Sequence, residues 1–311
     1  MGKTAAVGKA CLNKGRELMK TFSSYHPAVL LVYFLSVILV AVIAKNPVMR
    51  VLALGGGFCL CSILERPKEI PRNLAFYIPL FFLIAVITPL FFHNGVTPLF
   101  FFNGNAVTLE AVYSGCNTAV LFVAVLYWFQ CYQYIMTSDK VLFLLGAAVP
   151  KLSLLASAVL RFIPMFQSRF HKVNQSQKAM GLYTSPSYVD KIRGGLRVSS
   201  ATLTWALEHA IDMGDSMKTR GYGLKGRSSF SLFRFTGRDG RYLLIMAALL
   251  LVVIIGMIKN IIRFSFYPRI STFPQTPFAW AVYAAFGILC FLPSALEIKE
   301  DLKWNYYRSK I

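Results

Sequence analysis

Charge is what this sequence has least of. Of its 311 residues, 15% are Asp, Glu, Lys or Arg, against about 25% in soluble globular domains. With 56% hydrophobic residues and a mean hydropathy of +0.55, the deficit excludes an ordinary soluble domain. It indicates a polytopic membrane protein. Acids are scarcer still, 13 against 33 Lys and Arg, for a net charge of +20. In a soluble chain that excess would suggest nucleic acid. Here the collection of basic residues in loops that stay cytoplasmic is the simpler account, and no nucleic-acid partner is expected.

Other chemistry is missing too. There is no Gly-x-x-x-x-Gly-Lys-Ser/Thr phosphate loop, and the glycine-rich, basic stretch 221–228 has the wrong spacing, so the chain is not expected to hydrolyse ATP. Cys59, Cys61, Cys116, Cys131 and Cys290 lie in apolar runs and Cys11 in the N-terminal tail; they read as small hydrophobes rather than a disulfide framework. His26, His93, His171 and His209 are scattered and suggest no metal site. Acids avoid the apolar runs, with only Glu110 and Asp139 near them, at their ends. A proton-coupled carrier usually needs an ionisable group inside the membrane. An enzyme needs a cluster of acids, bases or metal ligands. Neither is evident, and no cofactor is expected.

What is present is an all-α pattern with about six spans, at residues 28–44, 51–64, 73–92, 111–136, 243–258 and 278–296. A basic segment (1–27) precedes a first span retained in the mature protein, because no cleavage site follows its long apolar run. Lys45-Asn46-Pro47 reads as a tight turn. Gly55-Gly56-Gly57 reads as a place where helix backbones pack closely, with a hinge as the minor alternative. Pro79 and Pro89 fall inside the third span. The segment 93–108, with Leu99-Phe100-Phe101-Phe102, reads as an outer loop dipping into the interface. Thr137-Ser138-Asp139-Lys140 starts a further helix. Residues 141–149 are too short to span, and with the apolar run after Pro150 they make a hairpin at the inner face. From Gln167 to Arg241, thirteen basic residues face five acids, which marks a cytoplasmic region. The basic tail belongs on the same side. The implied organisation is a cytoplasmic N-terminus (1–27), a membrane domain with its hairpin (28–160), a cytoplasmic helical domain (161–241), a membrane hairpin (242–296) and a cytoplasmic tail (297–311). The loop 259–277 sits awkwardly, because it falls outside yet carries Lys259, Arg263 and Arg269 with no acid. Snorkelling at the interface accounts for such cations.

Two long helices dominate the cytoplasmic region. The first is expected to begin near Leu160, with Pro164 at a start or kink. Phe162, Phe166, Phe170, Val173 and Gln177 make one mostly apolar face. It stops at Lys178-Ala179-Met180-Gly181, with Gly181 as C-cap. The second runs over about 199–220, with a stripe of small and flexible residues, Ala206, Ala210, Met213 and Met217, suited to a close crossing. Gly221 ends it, after Lys218, Thr219 and Arg220. Local physics leaves two roles for Arg220. It compensates the helix dipole, or it presents a fork of donors to a partner's carboxylate.

These motifs resemble the transmembrane T component of energy-coupling factor (ECF) transporters, the prokaryotic importers of vitamins and transition metals. The likeness rests on Leu160-Arg161-Phe162-Ile163-Pro164 followed at the family's distance by Gln177-Lys178-Ala179-Met180-Gly181. It rests also on Ala210-Ile211-Asp212-Met213-Gly214-Asp215-Ser216-Met217-Lys218-Thr219-Arg220-Gly221-Tyr222. His26-Pro27 and Thr137-Ser138 fit the same pattern, and the likeness covers roughly residues 25–225. It implies a multi-pass subunit of a prokaryotic cell membrane, with both termini cytoplasmic and no catalytic site. Its two coupling helices would dock on a pair of ATPase subunits, and its membrane helices would hold a substrate-binding S component. The coupling residues implied are Lys178, Ala179, Met180, Gly181, Thr219, Arg220 and Gly221. Met180 departs from the family pattern, which has arginine there. Lys178 cannot replace it, because two residues along a helix turn the side chain by about 200°. The alternative reading is a stand-alone secondary carrier or channel, and a third is a membrane-bound enzyme.

Overall fold

The computed structural model describes residues 22–65, 67–91, 95–102, 105–181, 188–224, 233–267, 270–271 and 276–310. Residues 1–21, residues 225–228 of the stretch 221–228, and Arg269, which enter the sequence reading, lie outside them. The fold is an all-α polytopic membrane protein with one small β-hairpin. Two compact units divide the chain. One comprises Met1–Lys140 with Phe233–Ile311, and the other Val141–Leu232.

Unit one holds α1 (Pro27–Ile43), α2 (Pro47–Leu64), α3 (Ile70–Phe91), α4 (Leu109–Ile135), α8 (Gly237–Ile258) and α9 (Pro277–Arg308). Five of these are long and apolar enough to cross a membrane, and α1 is a shorter apolar helix of 17 residues. The six apolar helices match the six expected spans. α4 packs against α1, α2 and α3, while α9 packs against α2 and α8. Trp128 on α4 is fully buried and donates Nε1–H to the Ala53 carbonyl at 2.9 Å. Its ring meets Tyr33 and Phe34 of α1 edge-on.

Helix starts follow local chemistry that the periodicity undercounted. Pro47 opens α2 instead of forming a turn, because Asn46 caps the helix by accepting Val48 N–H at 3.0 Å. That start lengthens α2 to 18 residues, where 14 were expected. The expected interfacial dip before α4 contains a two-stranded antiparallel hairpin, β1 (Pro98–Phe102) with β2 (Asn105–Thr108). It satisfies backbone groups that a loop in the interface would leave unpaired. α9 continues through the expected tail to Arg308.

The glycine-rich part of α2 is a packing surface. A Cβ at Gly56 would stand 2.6 Å from Cys290 Cβ on α9, and one at Gly57 would stand 3.2 Å from Trp128 and Tyr127. In lipid, such close approach supplies the packing that holds helices together. The cysteines in these helices are free thiols, three of them buried.

One end of the bundle is tied by charge. Glu297 on α9 accepts Phe22 N–H at 2.9 Å, and Asp239 on α8 accepts His26 N–H at 3.0 Å. Lys140, near the start of α5 (Ser138–Ala148), donates to the Ser23 carbonyl, Ser23 Oγ and the Ile135 carbonyl at 2.5–2.9 Å. Burial pulls the Lys140 pKa down to about 8. The ammonium therefore persists at neutral pH, and its three protons all meet oxygen. Buried acids outnumber the sequence expectation, which noticed only Glu110 and the exposed Asp139. Glu65, Asp239 and Glu297 are buried as well.

Gly56→Ala is expected to lower the thermal unfolding midpoint of the purified chain in detergent, since overpacking costs about 1–3 kcal/mol. Gly55→Ala is the control. Its added methyl meets nothing closer than 3.5 Å, so its midpoint is expected to hold or rise slightly.

Candidate functional site

The candidate coupling residues sit on the two long helices of unit two, α6 (Pro150–Ala179) and α7 (Tyr188–Thr219). α6 starts ten residues earlier than expected, at Pro150, and runs unbroken through Pro164. Proline at the first turn fits a helix start, since its missing N–H would be unpaired there anyway. α7 likewise starts at Tyr188 rather than near residue 199. The separation between inner hairpin and coupling helix, expected at residue 160, is therefore not a break in the helix.

The face expected on α6 is the covered one. Phe162, Phe166, Phe170, Val173 and Gln177 are all half-buried, whereas Arg169, Lys172 and Lys178 are exposed. On α7 the covered face lies to one side of the expected stripe. Gly194, Val198 and Thr202 are buried and Trp205 and His209 half-buried, while of the expected stripe Ala206 and Met213 are half-buried and Ala210 and Met217 exposed. At about 100° per residue the displacement is roughly 80°. Its cause is aromatic packing. Trp205 stacks on His209 with ring centroids 5.4 Å apart and planes at 7°, and Phe162 meets His209 edge-on at 5.4 Å. The Arg169 guanidinium lies 5.3 Å from the Trp205 ring centroid, at cation–π range. These larger groups bury more surface than an alanine stripe.

The contacts fix the direction of the pair. Moving from Arg161 through Phe162 to Arg169 on α6, the partners step back from Met213 through His209 to Trp205 on α7. The helices are antiparallel, and their C-terminal tips point to opposite ends of the pair.

Each tip ends on a left-handed glycine. Gly181 has φ 87° and Gly221 φ 80°. At the α7 tip, Tyr222 N–H bonds the Met217 carbonyl and Gly221 N–H bonds the Lys218 carbonyl, both at 3.0 Å. This pair closes the helix as a Schellman motif. At the α6 tip, Gly181 N–H bonds the Lys178 carbonyl at 3.1 Å and Met180 N–H the Ser176 carbonyl at 3.1 Å. The sharp stops leave Lys178, Ala179, Met180 and Gly181 exposed at one tip, and Thr219 and Arg220 exposed at the other, with Gly221 half-buried. Met180 is 71% exposed, unusual for a thioether facing only water. Lys218 pairs with Asp215 at 3.3 Å, an exposed bridge within one turn. Arg220 pairs with no carboxylate among the described residues. The structure thus groups the candidates into two separate tips and does not bring them into one cluster. No group of three or more potential metal ligands occurs among the described residues.

Sequence reasoning missed a second apolar face on α7. Ile192, Leu196, Leu203, Leu207 and Ile211 are each more than half exposed and lie opposite the face that meets α6. Their spacing of four, seven, four and four was the available signal.

The described residues thus comprise, in one unit, a bundle of apolar helices of membrane-spanning character and, in the other, an antiparallel pair of long amphipathic helices. The chain belongs to the CbiQ family, described as cobalt transport protein, which matches residues 21–232. The match takes in α1 to α7 and stops before α8. No curated protein matches the chain.

Gly221→Ala is expected to destabilise the α7 tip by about 1–2 kcal/mol, the cost of a left-handed backbone for a residue with a Cβ. Hydrogen exchange of a peptide covering residues 217–224 measures this. The Tyr222 amide is expected to exchange several-fold faster, with α6 unaffected.

Proposed function

We propose that the chain is the membrane scaffold and coupling subunit of an ECF-type ABC importer for a micronutrient, a vitamin or a transition metal. In this reading α6 and α7 are its coupling helices. The observation that carries it is the pair of glycine-stopped tips, each rigidly closed and each presenting a side chain to solvent that nothing in the described chain receives. Arg220 is the charged grip. It docks in an acidic groove of one cytoplasmic ATPase subunit through bidentate hydrogen bonds. Met180 is the grip on the second ATPase subunit, and it inserts as a flexible apolar knob. The unpartnered leucine and isoleucine face of α7 receives a membrane-embedded S component, which binds the substrate. Closing and opening of the ATPase pair moves the stiff helices, and they pass the motion to the S component.

The chemistry is positional and electrostatic, with no bond made or broken by this subunit. The acids buried in unit one are occupied: Glu65 by the Asn73 and Gln130 side-chain amides, Glu110 by Thr97, and Asp239 by His26 and Thr236. That occupancy favours a scaffold over a stand-alone carrier, where such a group must be free to exchange its ion. The subunit resides in the cell membrane of a prokaryote with both termini and unit two on the cytoplasmic side.

Co-purification tests the reading. Tagged chain from native membranes is expected to bring two ATPase-like subunits and a small membrane protein. Recovery of a lone chain that transports in liposomes overturns it. Arg220→Glu is expected to insert normally and to lose ATPase association by at least tenfold, a loss of about 1.4 kcal/mol or more. Unchanged association leaves Arg220 as a helix terminator only. Met180→Arg is expected to be tolerated, or to strengthen association, where the groove facing it is acidic.

A further inference from the structure

The end of unit one opposite the charged tie carries a cleft of about 540 Å³. It lies where α1 and α8 end, roofed by residues 260–267. Its size falls within the roughly 300–1,000 Å³ of small-molecule sites. Its lining combines Lys45 and Arg263 with apolar groups, among them Ile43, Met257 and Phe264, and it includes no acid.

The walls are built. Asn46 Nδ2 donates to the Ile262 carbonyl at 3.2 Å and the Tyr283 hydroxyl at 2.7 Å. Arg50 Nε donates to the Ala44 carbonyl at 3.1 Å, and Asn117 Nδ2 donates to the Lys45 carbonyl at 3.1 Å. Tyr267 and Ser114 hydroxyls bond at 2.8 Å. Asn260 turns the chain off α8 with φ 54°, and Ile261 N–H closes on the Gly256 carbonyl at 3.1 Å. Buried side chains thus hold the backbone on both sides of the cleft, while Lys45 and Arg263 stay exposed with no ion pair among the described residues. Snorkelling explains one cation at a helix end. It does not explain two cations from different segments lining one braced cleft without an acid.

We propose that this cleft binds the phosphodiester headgroup of an anionic phospholipid. Lys45 and Arg263 neutralise the phosphate, and the acyl chains leave over the apolar flank made by Val42, Ile43 and Ile258, all exposed. That flank continues the cleft's apolar lining into the bilayer, which distinguishes a lipid from a soluble phosphate. Basic pockets between membrane helices recognise anionic headgroups by the same pairing. The bound lipid supplies the negative charge that the acid-free loop lacks, and it stabilises a cationic segment where membrane orientation disfavours one.

The test uses the full chain in mixed micelles with phosphatidylglycerol, phosphatidylcholine or soluble glycerol phosphate. Phosphatidylglycerol is expected to raise the unfolding midpoint by about 3 °C or more over phosphatidylcholine, as a ligand of the folded state does. The double variant Lys45→Gln/Arg263→Gln is expected to lose that rise. Equal midpoints in the two lipids, or a full rise in the double variant, overturns the proposal. An equal rise with glycerol phosphate alone replaces the lipid with a soluble anion and overturns it also. Native mass spectrometry of the wild type and of Lys45→Gln alone gives a second readout. Phosphatidylglycerol retention is expected to fall in the variant, and equal retention counts against the site.

Discussion

Three charged side chains from three elements fix residues 22–26, and the geometry of unit one depends on them. Glu297 and Asp239 take main-chain N–H groups that precede the first turn of α1, and Lys140 takes oxygens of Ser23 and Ile135. A charge buried near a bilayer costs several kcal/mol unless it is fully bonded. Here each charge answers a backbone group that would itself be costly to leave unpaired. The tie also stands beside the two points where the chain leaves unit one for unit two, at Lys140 and Phe233. Aromatic packing reinforces it, with Phe22 against Tyr33, Phe34 and Tyr242. The result is a closely bonded corner within unit one, at the two points in sequence where the chain enters and leaves it.

Much of this was legible in sequence because it is local. The spans followed from apolar runs, and the left-handed stops at Gly181 and Gly221 followed from glycine after a periodic stretch. The α6 face followed from spacing alone. Misreadings arose where tertiary or capping chemistry decides. Pro47 and Pro150 start helices because each occupies a first-turn position, and the same residue type reads equally as a turn in sequence. The α7 face was misplaced because small residues were weighted above Trp205 and His209, whose rings bury more area against Phe162 and Arg169. The buried acids Glu65, Asp239 and Glu297 border apolar runs and look solvated in sequence. Their partners lie 3 to 275 residues away along the chain, from Thr236 to Phe22. No window-based pattern carries the long-range ones.

The two tips were legible as motifs but their arrangement was not. Adjacent motifs in the chain suggest adjacent sites, whereas antiparallel packing places the tips at opposite ends of the pair. Met180 lies eleven residues beyond Arg169, and Arg220 eleven residues beyond His209. At 1.5 Å per residue each tip stands about 17 Å along its helix from that ring or cation contact. Their chemistry is also unequal, since one ends in a thioether and the other in a guanidinium.

The ring contacts among Phe162, Trp205 and His209 mark a point where the two helices meet. The two tips extend in opposite directions from that crossing. Their separation, on the order of 40 Å, sets the spacing that anything gripping both must match. Val198 and Thr202 are buried on the same side of α7.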